Sequence, residues 1–331
     1  MALEQKKRVA YLFGAGATHA ELLELEPDIL QKNQGLLIGH VSKRVIEKAR
    51  ANKHYRLNLE TVSATKGSLN IELLISLLEN SKVHDWASKS KLLKDLVEKD
   101  IKAILTPSRL RKFYLHRALF QLHHHKAVRA REEVVGFISL NYDGVLDQAY
   151  RKHHGEPNYC FSLDDSKKSS TTVPLLKLHG SFNWSRANIR GRRRTVEIIP
   201  LGSSKSYIHA PYAFIWNRAL EVLVKCDTLR VVGCSLSQND VHLIDLLFKA
   251  HLERSKAFEI EIIASDKTGT RIRDNYGFFP KIRTLLEIER LLIPEAEPSN
   301  AFKTWLKYKS FKMLGPSRVR RATTYLRKVT T

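Results

Sequence analysis

The stretch RVAYLFGAGAT, residues 8–18, decides the fold. Arg8 to Phe13 is a short apolar run that stops at Gly14-Ala15-Gly16-Ala17-Thr18, and a polar, leucine-rich stretch follows from His19. A run this short, closed by glycines, reads as a buried strand entering a tight turn and then a helix. Small residues at such a turn let backbone N–H groups approach a phosphate, and the positive end of the helix dipole favours the anion. The pattern is not a full Gly-x-Gly-x-x-Gly, because His19 stands where the third glycine would be. Taken alone it fits an ordinary tight turn equally well.

Working outward, the text from about Gln31 to Arg131 is helical. Asn70 to Glu79, Lys89 to Leu105 and Leu110 to Arg129 repeat apolar residues at three- and four-residue spacings. Strand character returns at Val134 to Leu140 (VVGFISL), which ends at Asn141-Tyr142-Asp143. Further strand candidates are Tyr159 to Ser162, Val173 to Leu178, Glu197 to Leu201, Thr228 to Gly233 and Phe258 to Ala264. Helical text fills Gly144 to Arg151, Pro211 to Lys225 and Asp240 to Arg254. Apolar strands alternating with helices predict an α/β fold: a Rossmann-like, doubly wound, mainly parallel sheet with a large helical insertion lobe. The expected division is residues 1–30 and 132–290 for the sheet domain, 31–131 for the lobe, and 291–331 for a basic C-terminal segment.

Composition narrows the class. Among 331 residues, 56 Lys and Arg oppose 34 Asp and Glu, a formal charge of +22, while 43% hydrophobic residues suffice for a core. Three cysteines (Cys160, Cys226 and Cys234) make neither a disulfide framework nor a four-cysteine zinc site. No apolar run approaches the ~18 residues of a membrane helix, and no signal-peptide core is evident. The expectation is a soluble cytoplasmic protein with polyanionic partners, nucleic acid or phosphate-bearing ligands.

In an open α/β sheet, ligands bind beyond the carboxyl ends of the strands. Five such ends carry polar or small residues: Gly14-Ala15-Gly16-Ala17, Asn141-Tyr142-Asp143, His179-Gly180-Ser181, Gly233-Cys234-Ser235 and Ser265-Asp266. An isolated Asn or His at a strand end is more often structural, but this ordered set resembles the SIR2-like (divergent sirtuin) family, specifically the NADases of bacterial anti-phage defence. Gly14 to Thr18 resembles the family's phosphate loop, Leu140 to Asp143 its Asn-x-Asp motif, and Lys177 to Ser181 its catalytic-histidine motif. Val232 to Leu236 is similar to its Gly-x-Ser loop, with Asp240 following. Where protein-deacylating sirtuins carry a zinc ribbon with two Cys-x-x-Cys pairs, Ser185 to Glu197 holds no cysteine. The Gly-Ile-Pro-Asp-Phe-Arg stretch of the deacylases is also missing.

The resemblance implies NAD⁺ as substrate, water as acceptor, no metal, and an NAD⁺ glycohydrolase that depletes NAD⁺ in abortive infection. It implies His179 as general base and Asn141 as the residue fixing ribose or water. Gly14, Ala15, Gly16, Ala17, Thr18, Asp143, Gly233, Ser235, Asp240 and Asp266 are the implied cofactor-binding residues. It further implies a homo-oligomer whose trigger is sensed by another polypeptide, a HerA-type ATPase or, second, a short Argonaute. The alternatives left open are a sirtuin-like deacylase without the zinc ribbon and a basic nucleic-acid-binding or assembly subunit. The latter would use Arg190, Arg192, Arg193 and Arg194 in one loop, and Arg318, Arg320, Arg321, Arg327 and Lys328 near the end. His123-His124-His125 reads as a solvated helical face, and Trp184 as a buried aromatic.

Overall fold

The computed structural model describes residues 5–51, 70–80, 86–168, 172–184, 207, 209–237, 240–256, 259–277, 279–284 and 300–314. The expected strand at Glu197 to Leu201 and the two arginine clusters lie outside these residues. Six strands form one all-parallel sheet: β1 (Lys7–Phe13), β2 (Glu132–Ser139), β3 (Leu175–Lys177), β4 (Thr228–Val232), β5 (Glu259–Ile263) and β6 (Ile282–Thr284). Their order across the sheet is β3-β2-β1-β4-β5-β6. The order reverses between β1 and β4, so the crevice beyond their carboxyl ends is the topological switch point of a doubly wound α/β fold. The α/β, Rossmann-like expectation holds.

Strand alternation divides the core into two layers. Ala10, Leu12, Ile138, Leu176, Leu229, Val231, Ile260 and Ile262 face α10 (Tyr212–Lys225), α11 (Val241–Leu252) and α12 (Asp266–Asn275). Val9, Tyr11, Phe13, Phe137, Leu175, Val232 and Ile263 face α6 (Leu115–His124), α8 (Val145–His154) and α13 (Ala301–Leu314). β6 was not expected, because three residues among polar neighbours give no period to read. Tyr159 to Ser162 forms no strand.

The helical stretch divides by packing. α2 (Ile38–Ala51), α3 (Ile71–Asn80) and α4 (Trp86–Ile104) share a core of their own around Val45, Ile71, Leu74 and Leu93. α5 (Pro107–Lys112) begins at the Thr106 cap, where Pro107 supplies a preset φ. α6 instead buries Leu115, Leu119 and Phe120 against the sheet. His123 corrects the solvated-face reading: its Nε2 lies 2.6 Å from the Tyr11 hydroxyl.

Beneath the switch point lies a buried charge network. Tyr11, Arg230 and Glu261 stand in register on β1, β4 and β5. Arg230 donates two bonds to Glu132 at 2.8 and 2.9 Å, one to Glu261 at 2.7 Å and one to the Tyr11 hydroxyl at 2.8 Å. The same hydroxyl is also hydrogen-bonded to His123 Nε2. Lys309 of α13 also binds Glu132, and the Trp305 ring lies 5.4 Å from the guanidinium. Burial alone would raise the Glu132 carboxyl, but Arg230 and Lys309 override it and hold it below its ordinary value. Removing one member of a buried ion network leaves the others uncompensated, at a cost of ~3–5 kcal/mol. Arg230→Met is therefore expected to lower the unfolding free energy by about that amount, as read from the urea midpoint; a loss under ~1 kcal/mol would refute the network's importance.

Three imidazoles set an acid limit. Burial lowers His123 to about 3, and with neighbouring imidazoles lowers His19 and His154 to about 4. Between those values and the ordinary 6.5, the unfolded chain takes up protons that the folded chain refuses. Stability is thus full above pH 6.5 and declines as pH falls toward 4. Urea unfolding across that range should show this decline, and His154→Gln should make it shallower.

Candidate active site at the strand ends

The glycine turn is stitched to the end of β4. Gly14 N–H donates to the Val232 carbonyl at 3.0 Å, and Gly16 N–H donates to the Gly233 carbonyl at 2.8 Å. A Cβ on Gly14 would stand 2.6 Å from Cys234 Cα, and one on Gly16 would stand 2.6 Å from the Gly233 oxygen. Gly233 itself has φ +56°, with Ala17 N only 2.2 Å from where a Cβ would sit. Glycine is required here so that two backbones can touch. Within the expected phosphate loop, the Gly14 and Gly16 amides bond within the chain. Ala15, exposed at the first turn of α1 (Ala15–Leu25), is the loop residue open to a ligand.

Asn141 closes the turn from the β2 side. Its Nδ2 donates to the Gly14 carbonyl at 3.0 Å and to Thr18 Oγ1 at 3.2 Å. The Thr18 hydroxyl in turn donates to Asp143 Oδ2 at 3.0 Å, while Asp143 Oδ1 accepts the Val145 amide at 3.0 Å and starts α8. The amide nitrogen expected to reach ribose or water therefore holds the glycine loop in place.

His179 stands just past β3 and is fully buried. Its Nε2 lies 3.4 Å from Asp240 Oδ2, while the other Asp240 oxygen caps α11 through the Leu243 amide. Asp240, implied by the resemblance as a cofactor-binding residue, lies beside the histidine. The Tyr142 and Trp216 rings flank the imidazole at 6.3 and 6.5 Å, and Trp216 Nε1 donates to the Leu178 carbonyl at 3.0 Å. Trp184 stacks edge-on against Phe161 and Tyr159, close to the aromatic reading.

A second buried pair underlies the histidine loop. Lys177 and Asp147, both fully buried, meet at 3.0 Å, and Lys177 also donates to the Asp143 carbonyl. Asn183 and Tyr159 donate to Asp147, and Ser181 donates to the Tyr142 carbonyl at 3.0 Å. Burial pushes the Asp147 carboxyl up, but the Lys177 charge together with the hydrogen bonds from Tyr159, Lys177 and Asn183 brings it below its ordinary value. The sequence motif includes Lys177 without giving it a role and leaves Asp147 out, though a lysine inside the apolar run LLKL is a usable signal. Cys234 is buried and its thiol is pushed up to about 12, so it offers no thiolate.

The strand-end residues Gly14 to Thr18, Asn141, Asp143, His179, Gly233, Ser235 and Asp240 thus converge on one edge of the sheet. Asp266 opens α12 at the end of β5, farther along that edge. Residues 135–266 match the SIR2-like domain family. The resemblance read from the motifs is thereby supported over the segment holding Asn141, His179 and Asp240. A solved structure described as "Structural Basis for the Mechanism and Regulation of Sir2 Enzymes" is similar at 13% identity, with a TM-score of 0.36. That match covers 97% of this chain and 95% of the other, but a likeness so slight bears on neither fold nor activity. No curated protein matches the sequence. Among the described residues no His, Cys, Asp and Glu group could hold a metal ion, and no helix is long and apolar enough to cross a membrane.

Because the two backbones touch, Gly16→Ala should force the turn apart and cost ~1–3 kcal/mol. Ala15→Ser, at an exposed position, should change stability by less than ~0.5 kcal/mol. Thermal unfolding of the two variants side by side provides the measurement.

Proposed function

We propose that this chain is an NAD⁺ glycohydrolase that cleaves NAD⁺ to nicotinamide and ADP-ribose. The SIR2-like match suggests NAD-related enzyme chemistry. The observation that carries the finer reading is the buried His179–Asp240 pair set across the switch-point crevice from the exposed first turn of α1.

Breaking the nicotinamide–ribose bond builds positive charge on the ribose while the pyridinium departs as a neutral base. The protein's tasks are to hold the pyrophosphate, exclude bulk water from the ribose and deliver one water molecule. The N-terminus of α1 attracts the pyrophosphate through its dipole and the Ala15 amide. His179 accepts the proton of the attacking water, and the Asp240 carboxylate orients the ring and stabilises the imidazolium that forms. Asn141 acts as a positioning residue, through Gly14 and Thr18, and Asp143 supports it. Gly233 and Ser235 line the adenosine side, with Asp266 farther along. The three cysteines are all buried and provide no zinc ribbon to dock an acyl-lysine peptide, which favours water over a deacylation substrate.

The biological reading is an NAD-depleting effector of anti-phage defence, in a homo-oligomer triggered through a HerA-type ATPase. Its support is the motif order together with the SIR2-like match.

Chromatography of NAD⁺ products, using the chain together with its neighbouring gene products, tests the reaction. The expected products are nicotinamide and ADP-ribose, with His179→Ala lowering turnover by ~10²–10⁴-fold. Undiminished turnover in His179→Ala would refute the assignment, as would an acyl-transfer product.

A further inference from the structure

A cavity of about 340 Å³ opens on the face of α1 away from the glycine turn, walled by α1, α5, α6 and α8. Its charged lining is Arg111, Arg117 and Lys152, with Glu21 and His116 among the wall residues. It shares no residue with the strand-end site.

Glu21 does not neutralise those cations. Its carboxylate accepts the Tyr114, Leu115 and His116 backbone amides at 2.8, 3.0 and 2.8 Å, and His116 Nδ1 at 2.8 Å. It therefore caps α6 from within and is satisfied there, its carboxyl held below the ordinary value by His116 despite the opposing effect of burial. Among the described residues Arg111, Arg117 and Lys152 form no ion pair with a carboxylate. Arg117 directs Nη2 to the Arg111 carbonyl at 3.3 Å, which draws the two arginines together rather than compensating either.

Two buried donors or acceptors in the wall lack partners among the described residues: His116 Nε2 and Arg117 Nε. The His116 side chain is 2% exposed. Buried polar atoms without partners are costly. Three cations lining one cavity, with Arg111 and Lys152 exposed and Arg117 half-buried, favour an anion there, and arginine in particular suits the oxygens of phosphate. The volume falls within the range of small-molecule sites.

We propose that this cavity is a second ligand site, which binds a small phosphate-bearing anion, a phosphomonoester such as a nucleoside monophosphate. The pocket is recessed between four helices, which suits a terminal phosphate better than the continuous backbone of a nucleic acid. Two of its walls lead directly to the strand ends. α1 begins at the glycine turn, and α8 begins at the Asp143 cap. Occupancy of the cavity therefore holds together the two helices that carry the Asn141–Gly14–Thr18–Asp143 chain of bonds.

Titration calorimetry on the full chain, with inorganic phosphate, AMP and uncharged adenosine as probes, tests the proposal without any measurement of NAD⁺ cleavage. Phosphate and AMP are expected to bind saturably and adenosine not at all. The Arg117→Gln/Lys152→Gln double variant should weaken AMP by at least about tenfold, which is about 1.4 kcal/mol. Arg117→Lys, which keeps the charge, should retain most of the binding. Circular dichroism checks that the variants fold. The proposal is overturned by three outcomes: no saturable binding of either anion, equal binding by the double variant, or binding only of oligonucleotides with affinity that grows with length. The second outcome would place the anion at the glycine turn, and the third would make the cavity mouth a nucleic-acid surface.

Discussion

The position of Arg230 underlies the whole architecture. A guanidinium buried in the middle of a parallel sheet is tolerable only if every neighbour answers it, and here β1, β2, β5 and α13 each supply one of its partners. Arg283 of β6 joins through Glu261 at 3.0 Å, so the network reaches nearly the full width of the sheet. Hydrophobic packing would allow α13 to slide on the apolar face. The Lys309–Glu132 contact and the Trp305 ring over Arg230 give it a single seat. A buried ion network contributes little net stability compared with apolar packing, but it can discriminate among arrangements. In this chain it fixes the relative order of segments far apart in sequence.

Above that network, the strand ends are held by backbone contact as well as by charge. Gly14 and Gly16 press against Gly233 and Cys234, Asn141 bridges to the turn, and Lys177 with Asp147 supports the histidine loop. The two modes suit their places. Charges in the middle of the sheet specify the fold. At the open edge, small residues and backbone-to-backbone bonds leave room beyond the strands. The helical lobe meets this edge through Phe182, which packs with the lobe core, stacks near Tyr142 and lies beneath Lys102.

Local pattern revealed most of the sheet. RVAYLF, VVGFISL and FEIEIIA are apolar runs of strand length, and a parallel sheet covered on both faces needs such runs. The ordered polar strand ends were legible for the same reason, since the fold sends them all to one edge. What stayed hidden depended on distant partners. Arg230 in TLRVV reads as a strand residue facing solvent until Glu132, Glu261 and Lys309 are placed around it. His123 was misread because its partner, Tyr11, is contributed by β1. α6 shows the apolar spacing of any amphipathic helix, and nothing in that spacing states which of two cores it will join. Asp240 opens a stretch of helical text, but its approach to His179 depends on the order β3-β2-β1-β4, which no local pattern encodes.

The contact between the glycine turn and the end of β4 has an evolutionary meaning. Positions 14, 16, 233 and 234 lie at opposite ends of the domain, yet sterically they are one site. A side chain gained at 16 has no space unless the backbone at 233 retreats, and Gly233 cannot retreat without dragging the end of β4 and the cap of α11 with it. Drift at either loop is therefore closed off by the other.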